Sequence, residues 1–420
     1  MSFQQGLSGL NASSQSLDVI GNNIANAGTY GAKAARAEFA DVYANALNGS
    51  GGSQVGIGVT VGAITQQFTQ GSITTTDSSL DLAINGSGFF QLQDAAGAVV
   101  YSRNGQFQLD NGGNIVNAQG LQLLGYPATP AGQIIPSTVQ PLQVPTAGVE
   151  PQATTAVDIE LIVDSRDGVT DTGSTPAIDL DDETTYNNAT SVTVYDAKGQ
   201  PVALTYYFQK AADNAWNVYV TANGEPALTD GSGNPVASTT MEFESAGGNV
   251  TSGGSFTLDV PSVTLTTGGM SVAIDNVAID LGSSTEFGAP FSVTDLSQDG
   301  YAPGQLSGIT IEDDGTLVAN YSNGQSKAAG QLVMANFQNP QGLQALGGNV
   351  WAGTYASGDP VLGVAGEGNF GALQSGALEE SNVELTAELV NMITAQRAYQ
   401  ANSQTIKTQD QVMQTLVNLR

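Results

Sequence analysis

Neither cysteine nor histidine occurs anywhere in the 420 residues. That removes thiolate nucleophiles, Ser-His-Asp triads, histidine proton transfer and nearly all zinc or copper sites. It also excludes a disulfide-stapled fold. Basic side chains are scarce: 10 Lys and Arg stand against 39 Asp and Glu. Only 12% of residues are charged, so the net charge of -29 comes from the shortage of bases. Nucleic acids and anionic membranes are therefore disfavoured partners, and added salt should favour association of such chains. No apolar run reaches membrane-spanning length, and Met1-Ser2-Phe3-Gln4-Gln5-Gly6 lacks the basic and apolar regions of a Sec-type signal. Carboxylate-pair hydrolysis, a Ser-Lys arrangement and calcium binding remain chemically open, but no convincing motif supports them. Asp179-Leu180-Asp181-Asp182-Glu183 and Glu312-Asp313-Asp314-Gly315 match no EF-hand loop and read as solvated turns. No enzyme activity, metal or cofactor is expected.

What the chain does have is an amphipathic helix at each end. Phe3, Leu7, Leu10, Ser14, Leu17, Gly21 and Ile24 follow a four-three spacing, widened by Ile20. Leu385, Leu389, Met392, Gln396, Tyr399, Ser403, Ile406, Asp410, Met413 and Val417 repeat it for longer. At about 1.5 Å per residue these helices span roughly 36 and 55 Å, so the first cannot cover the second. Two readings follow: an intramolecular hairpin, or a surface left for neighbouring copies. The apolar set Leu7, Leu10, Leu17, Ile20, Ile24, Leu385, Leu389, Met392, Tyr399, Ile406 and Met413 is expected to carry the packing. Asn22, Asn23 and Asn26 are candidates for register-fixing amide bonds, and Asp18 for an ion pair with Arg397 or Lys407.

Between the ends the pattern is strand and turn. The first helix should stop near Asn26-Ala27-Gly28. Residues 32–48, with Phe39, Val42, Tyr43 and Leu47, fit a short helix or an extended strip, before a loop at Gly49-Ser50-Gly51-Gly52. Val55, Ile57, Val59 and Val61 alternate, as do Leu80, Leu82 and Ile84. Asn85-Gly86, Asn104-Gly105, Asn111-Gly112, Asp314-Gly315 and Asn323-Gly324 predict hairpin turns. A segment with its own aromatic core, Tyr206, Tyr207, Phe208, Trp216 and Tyr219, lies between hinges expected near 145–151 and 282–290. The expected fold class is mainly β with terminal α-helices, in a nested multidomain architecture. Its parts are a helical core (1–28 plus 376–420), a connector (29–70 plus 366–375), a middle β domain (71–147 plus 286–365) and an inserted outer β domain (148–285).

Leu17-Asp18-Val19-Ile20-Gly21-Asn22-Asn23-Ile24-Ala25-Asn26, Leu80-Asp81-Leu82-Ala83-Ile84-Asn85-Gly86, Gly88-Phe89-Phe90 and Gln396-Arg397-Ala398-Tyr399-Gln400-Ala401-Asn402 resemble the bacterial flagellar rod and hook family. So do Glu388-Leu389-Val390-Asn391-Met392-Ile393 and Ile406-Lys407-Thr408-Gln409-Asp410. The full insert and Tyr101-Ser102-Arg103-Asn104-Gly105-Gln106-Phe107 look hook-like. One departure is Ala32, where hook proteins commonly carry an aromatic before the Lys matched by Lys33.

The resemblance implies a hook subunit that self-assembles into a flexible tubular joint, transmitting torque from rod to filament, outside the cell and attached to the basal body. It implies export through the flagellar type III apparatus without a cleaved signal. Implied partners are further copies in a helical homopolymer, rod and hook-filament junction proteins, and hook cap and length-control proteins. Another axial protein, such as a distal rod or junction protein, is the nearer alternative. A secreted β-rich adhesin is the more distant one, since it leaves the paired ends unexplained.

Overall fold

A computed structural model describes residues 2–42, 56, 58–171, 173, 177–245, 248–265 and 268–418, without the side chains of 2 and 416–418. The loop expected at 49–52, the residues Tyr43, Leu47, Val55 and Ile57, and the side chain of Val417 lie outside the described set. The chain divides into two compact units, Met1–Thr146 with Gly308–Asn320 and Ser326–Arg420, and Ala147–Ser307 with Tyr321–Gln325.

In the first unit, helix α1 (Ser2–Ala25) is the amphipathic stretch the spacing predicts, and helix α2 (Leu385–Asn418) is the longer one. The α1 helix ends in a turn, where the Asn26 amide donates to the Asn22 carbonyl at 3.0 Å. Over the described part of 32–48, residues 32–42, the extended alternative holds. Strand β1 (Ala35–Val42) pairs antiparallel with strand β2 (Gly58–Gln66) from Ala35 opposite Gln66, with a bulge at Glu38/Phe39. Behind it a 13-stranded sheet assembles, with Phe89, Phe90, Leu92, Ile115 and Leu123 fully buried; Leu82 and Ile84, in a separate two-stranded sheet, are fully buried too. Two short antiparallel pairs, Ile73–Thr75 with Ala377–Glu379 and Leu82–Asn85 with Ala372–Ser375, bring the outgoing and returning chain together.

Phe89, Tyr101, Phe337 and Trp351 form an aromatic cluster in edge-to-face contacts, and Phe68, just after β2, packs 5.4 Å from Phe89. Edge-to-face geometry sets the positive ring edge against a neighbour's negative face. Asn111-Gly112 is a true hairpin turn, between the paired strands Phe107–Leu109 and Ile115–Asn117. Asn85-Gly86 and Asn104-Gly105 are not, because their flanking strands pair elsewhere. Glycine is needed at 105 for another reason: a Cβ there would lie 1.8 Å from the Leu82 carbonyl oxygen.

The second unit is built from two sheets. One holds Asn188–Tyr195, Pro201–Ala212, Ala215–Ala222 and Thr239–Phe243; the other holds Ala156–Asp164, Ser255–Val260 and Ile274–Asp280. Alternation along Ala156–Asp164 and Pro201–Ala212 sends Val157, Ile159, Leu161, Leu204, Tyr206 and Phe208 into one core with Trp216. Tyr207 points to the opposite face from Tyr206 and Phe208, against Tyr186. Residues 286–307, which the sequence pattern assigned to the middle domain, lie in this unit. Thr285–Phe287 runs parallel to Ala156–Asp164, and Ser292–Gln298 antiparallel to it. The stretch read as a hinge at 282–290 is therefore partly paired sheet, with Ser284 and Glu286 buried. Glu286 accepts from the Trp216 indole at 3.1 Å and lies 3.8 Å from the Lys210 ammonium.

Candidate assembly site at the paired termini

The two terminal helices pack antiparallel, and the contact is made by small residues. A Cβ built on Gly6 would meet Ile406 at 3.0 Å, and one on Gly9 would meet the Asn402 amide at 2.8 Å. Helix separation is set by the side chains at the crossing, so glycines here permit close approach. Asn402 donates to the Ser13 hydroxyl at 3.5 Å, and Asn23 donates to the Glu388 carboxylate at 3.4 Å. These pairs fix the register. They use α1 up to its end but α2 only as far as Ile406. Past Gln409 every described α2 side chain is exposed.

The expected apolar residues distribute unevenly. Ile20 is buried; Leu10, Leu17, Ile24, Met392 and Ile406 are half-buried; Leu7, Leu385, Leu389, Tyr399 and Met413 are exposed. Gly6, Gly9, Ser13 and Asn402, which sequence reasoning passed over, occupy the seam instead. They repeat with the same spacing, and a stripe of small residues gives no hydrophobic signal.

Of the polar candidates, Asn23 is 5% exposed and acts mainly on the connector. Its Nδ2 donates to the Ala35 carbonyl at 2.8 Å and its Oδ1 accepts from the Ala35 amide at 2.9 Å, fixing the start of β1 to the helix. Asn26 Nδ2 donates to the Asn22 carbonyl at 2.9 Å, which closes the helix end. Asp18, Arg397 and Lys407 are exposed, and among the described residues no ion pair joins Asp18 to either base.

Below the helices the connector is anchored by a buried carboxylate. Glu379 has 0% side-chain exposure; Lys33 Nζ lies 2.7 Å from its Oε1 and Arg103 Nη1 lies 3.3 Å from its Oε2. The Gly71 amide also donates to Oε1 at 2.9 Å. Burial pushes the Lys33 ammonium and the Arg103 guanidinium below their ordinary values, with the Glu379 charge opposing the shift in both. Three residues far apart in sequence thus lock β1, the sheet and the strand leading to α2. Lys33 was legible as a family position, whereas Glu379 stands beside a second acid, Glu380, after Ala377-Leu378, and nothing local marks it out. Ala32, where an aromatic was expected, is 4% exposed and lines a cavity of about 240 Å³ with Asn22, Asn26 and Trp351.

The carboxylates considered for calcium cap their own turns. Asp182 accepts from the Thr184 amide at 2.9 Å, and Asp314 from the Thr316 amide at 2.8 Å. Among the described residues no three acidic groups converge as a metal site would require.

Comparison with known proteins agrees with this layout. Residues 3–33 match the flagella basal body rod protein family and 83–160 the flagellar hook protein FlgE/F/G D1 domain. Residues 163–301 match the flagellar basal body protein FlaE D2 domain, and 374–419 the flagellar basal body rod FlgEFG protein C-terminal family. Flagellar hook protein FlgE of Salmonella typhimurium is 47% identical over 429 residues, covering 100% of both chains. The Escherichia coli K12 protein of that name is 44% identical over 435 residues, again covering 100% of both. The crystal structure of Helicobacter pylori flagellar hook protein FlgE2 shares the fold, with a TM-score of 0.51 at 15% identity, over 72% of this chain and 99% of that one.

Proposed function

The chain belongs to the flagellar hook protein family, and from that membership we propose that copies of it polymerise through α1 and α2 into the hook, the extracellular structure attached to the basal body. It is a structural protein, and among the described residues no helix is long and apolar enough to cross a membrane.

The observation that carries the assembly route is the apolar surface left on the helices. Phe3, Leu7, Leu385, Leu389, Val390, Ile393 and Met413 are 45% to 56% exposed in the single chain. Covering each by a neighbour contributes roughly 1 kcal/mol, so a few contacts offset the cost of ordering the helix ends. In the tube the helices resist twist while the β units supply its wall, a division suited to a joint that bends and transmits torque. Rod and hook-filament junction proteins at its ends, hook cap and length-control proteins, and the flagellar type III export apparatus are the proposed partners. The whole-length match to hook proteins supports this reading over a distal rod protein, a junction protein or an adhesin.

Electron microscopy of the full chain beside a version lacking 1–28 and 380–420, at high concentration and moderate salt, tests it. Curved tubes from the full chain alone are expected. Tubes from both would move assembly to the β units.

A further inference from the structure

Glu388 sits in the first turn of α2, on the face turned toward α1. Its Oε2 is buried and has no hydrogen-bond partner, and its Oε1 receives only the long 3.4 Å contact from Asn23. The carboxylate lines a groove of about 570 Å³ between α1, α2 and β1, walled by Ser16, Ile20, Ala35 and Ala395. An ionised oxygen taken from water without a donor is costly, and the groove is large enough for another side chain to supply one. Arg36 also lines the groove, but its Nη2 is 2.9 Å from Glu38.

The opposite face of α2 has the complementary defect. Arg397 is exposed, forms no ion pair among the described residues, and is flanked on its face by Val390 and Ile393, 56% and 51% exposed. Nine residues separate it from Glu388, a rotation of about 180° and a rise of about 13 Å, so the two cannot meet on one helix. Any contact that buries Val390 and Ile393 also strips water from Arg397, which then needs an acceptor. Lys407, the other base on α2, has the polar neighbours Ser403, Gln404, Asp410 and Gln411 instead.

We propose that in the polymer Arg397 of one copy enters the groove of a second copy and pairs with its Glu388. The planar guanidinium matches a carboxylate and is more weakly hydrated than an ammonium, which suits a desolvated site. Donor and acceptor on opposite faces make the contact head-to-tail, the type that propagates into an open helical polymer rather than closing a dimer. The inference rests on the assembly reading above and adds to it the residues that set the register between copies.

The test uses the full chain. Arg397→Glu and Glu388→Arg should each raise the critical concentration for polymer, measured by sedimentation, about tenfold or more, and the double reversal should recover most of the loss. Because the chain has no cysteine, a Glu388→Cys/Arg397→Cys variant offers a second readout independent of charge at the helix N-terminus. A short bismaleimide should yield a covalent ladder of copies, and neither single variant should. Circular dichroism and the urea midpoint of each monomer establish that it folds. Normal assembly of Arg397→Glu, a ladder formed through Lys407→Cys in place of Arg397→Cys, or loss of assembly with Arg36→Ala but not Arg397→Glu would each overturn the pairing while leaving helix-driven assembly standing. Failure of the unmutated chain to polymerise at any ionic strength would overturn both.

Discussion

Substituting Glu379 by glutamine removes the charge shared by Lys33 and Arg103 and leaves two cations facing each other in a closed site. Breaking a buried pair from one side costs about 3 to 5 kcal/mol, because the remaining charge stays desolvated. Urea unfolding should register that loss, while Glu38→Gln, whose partner Arg36 is in solvent, should leave the midpoint unmoved. A second residue-scale expectation concerns acid. The Arg166 guanidinium holds the Asp164 carboxyl down to about 2 from its ordinary 3.8. A depressed carboxyl contributes stability above its unfolded value, and that contribution disappears as pH falls through the folded one. Stability of the second unit should therefore drop between about pH 4 and pH 2, as reported by Trp216 fluorescence in a Trp351→Phe background. Asp164→Asn should flatten that part of the profile, and an unchanged profile would show that Asp164 does not govern it.

At the scale of elements, the seam of the paired helices makes the sharpest expectation. Gly9→Leu drives a side chain into Asn402 and should lower monomer helix content by far-UV circular dichroism. Gly21→Ala meets nothing within 4 Å and should stabilise α1 by about 0.5 to 1 kcal/mol, since glycine is a poor helix former. If both substitutions behaved alike, Gly9 would not be the point of close approach. Strand identity was legible because alternation of side chains maps directly onto the two faces of a sheet, as at Val59 and Val61 in β2, half-buried beside the exposed Thr60 and Gly62. Helix identity was legible too, but not the side of α1 that α2 covers. Two stripes share one spacing, Phe3-Leu7-Leu10 and Gly6-Gly9-Ser13, and hydrophobicity selects the first while close packing selects the second. The sheet joined by Thr285–Phe287 and Ser292–Gln298 was likewise hidden, because period-two patterning marks a strand without naming its neighbour. The meeting of Lys33, Arg103 and Glu379 depends on chain topology that no local pattern encodes.

For the whole molecule, the charge of -29 opposes every contact between copies. Raising salt from low to physiological strength shortens the screening length from about 30 Å at 0.01 M to about 8 Å, so the critical concentration for polymer should fall with added sodium chloride before any ion pair is weakened. A critical concentration that rises over that range would place the controlling charges inside the contact rather than across the surface. The stretch of α2 beyond Gln409 has a further consequence. From Asp410 to Thr415 the described side chains are all exposed, so the amides there should exchange with deuterated solvent within the time of mixing in the single chain, whereas copies inside the polymer should hold them for hours. The slowly exchanging fraction of that one segment would then count interior copies against those at the tip, so that a polymer's length could be read from its own amides.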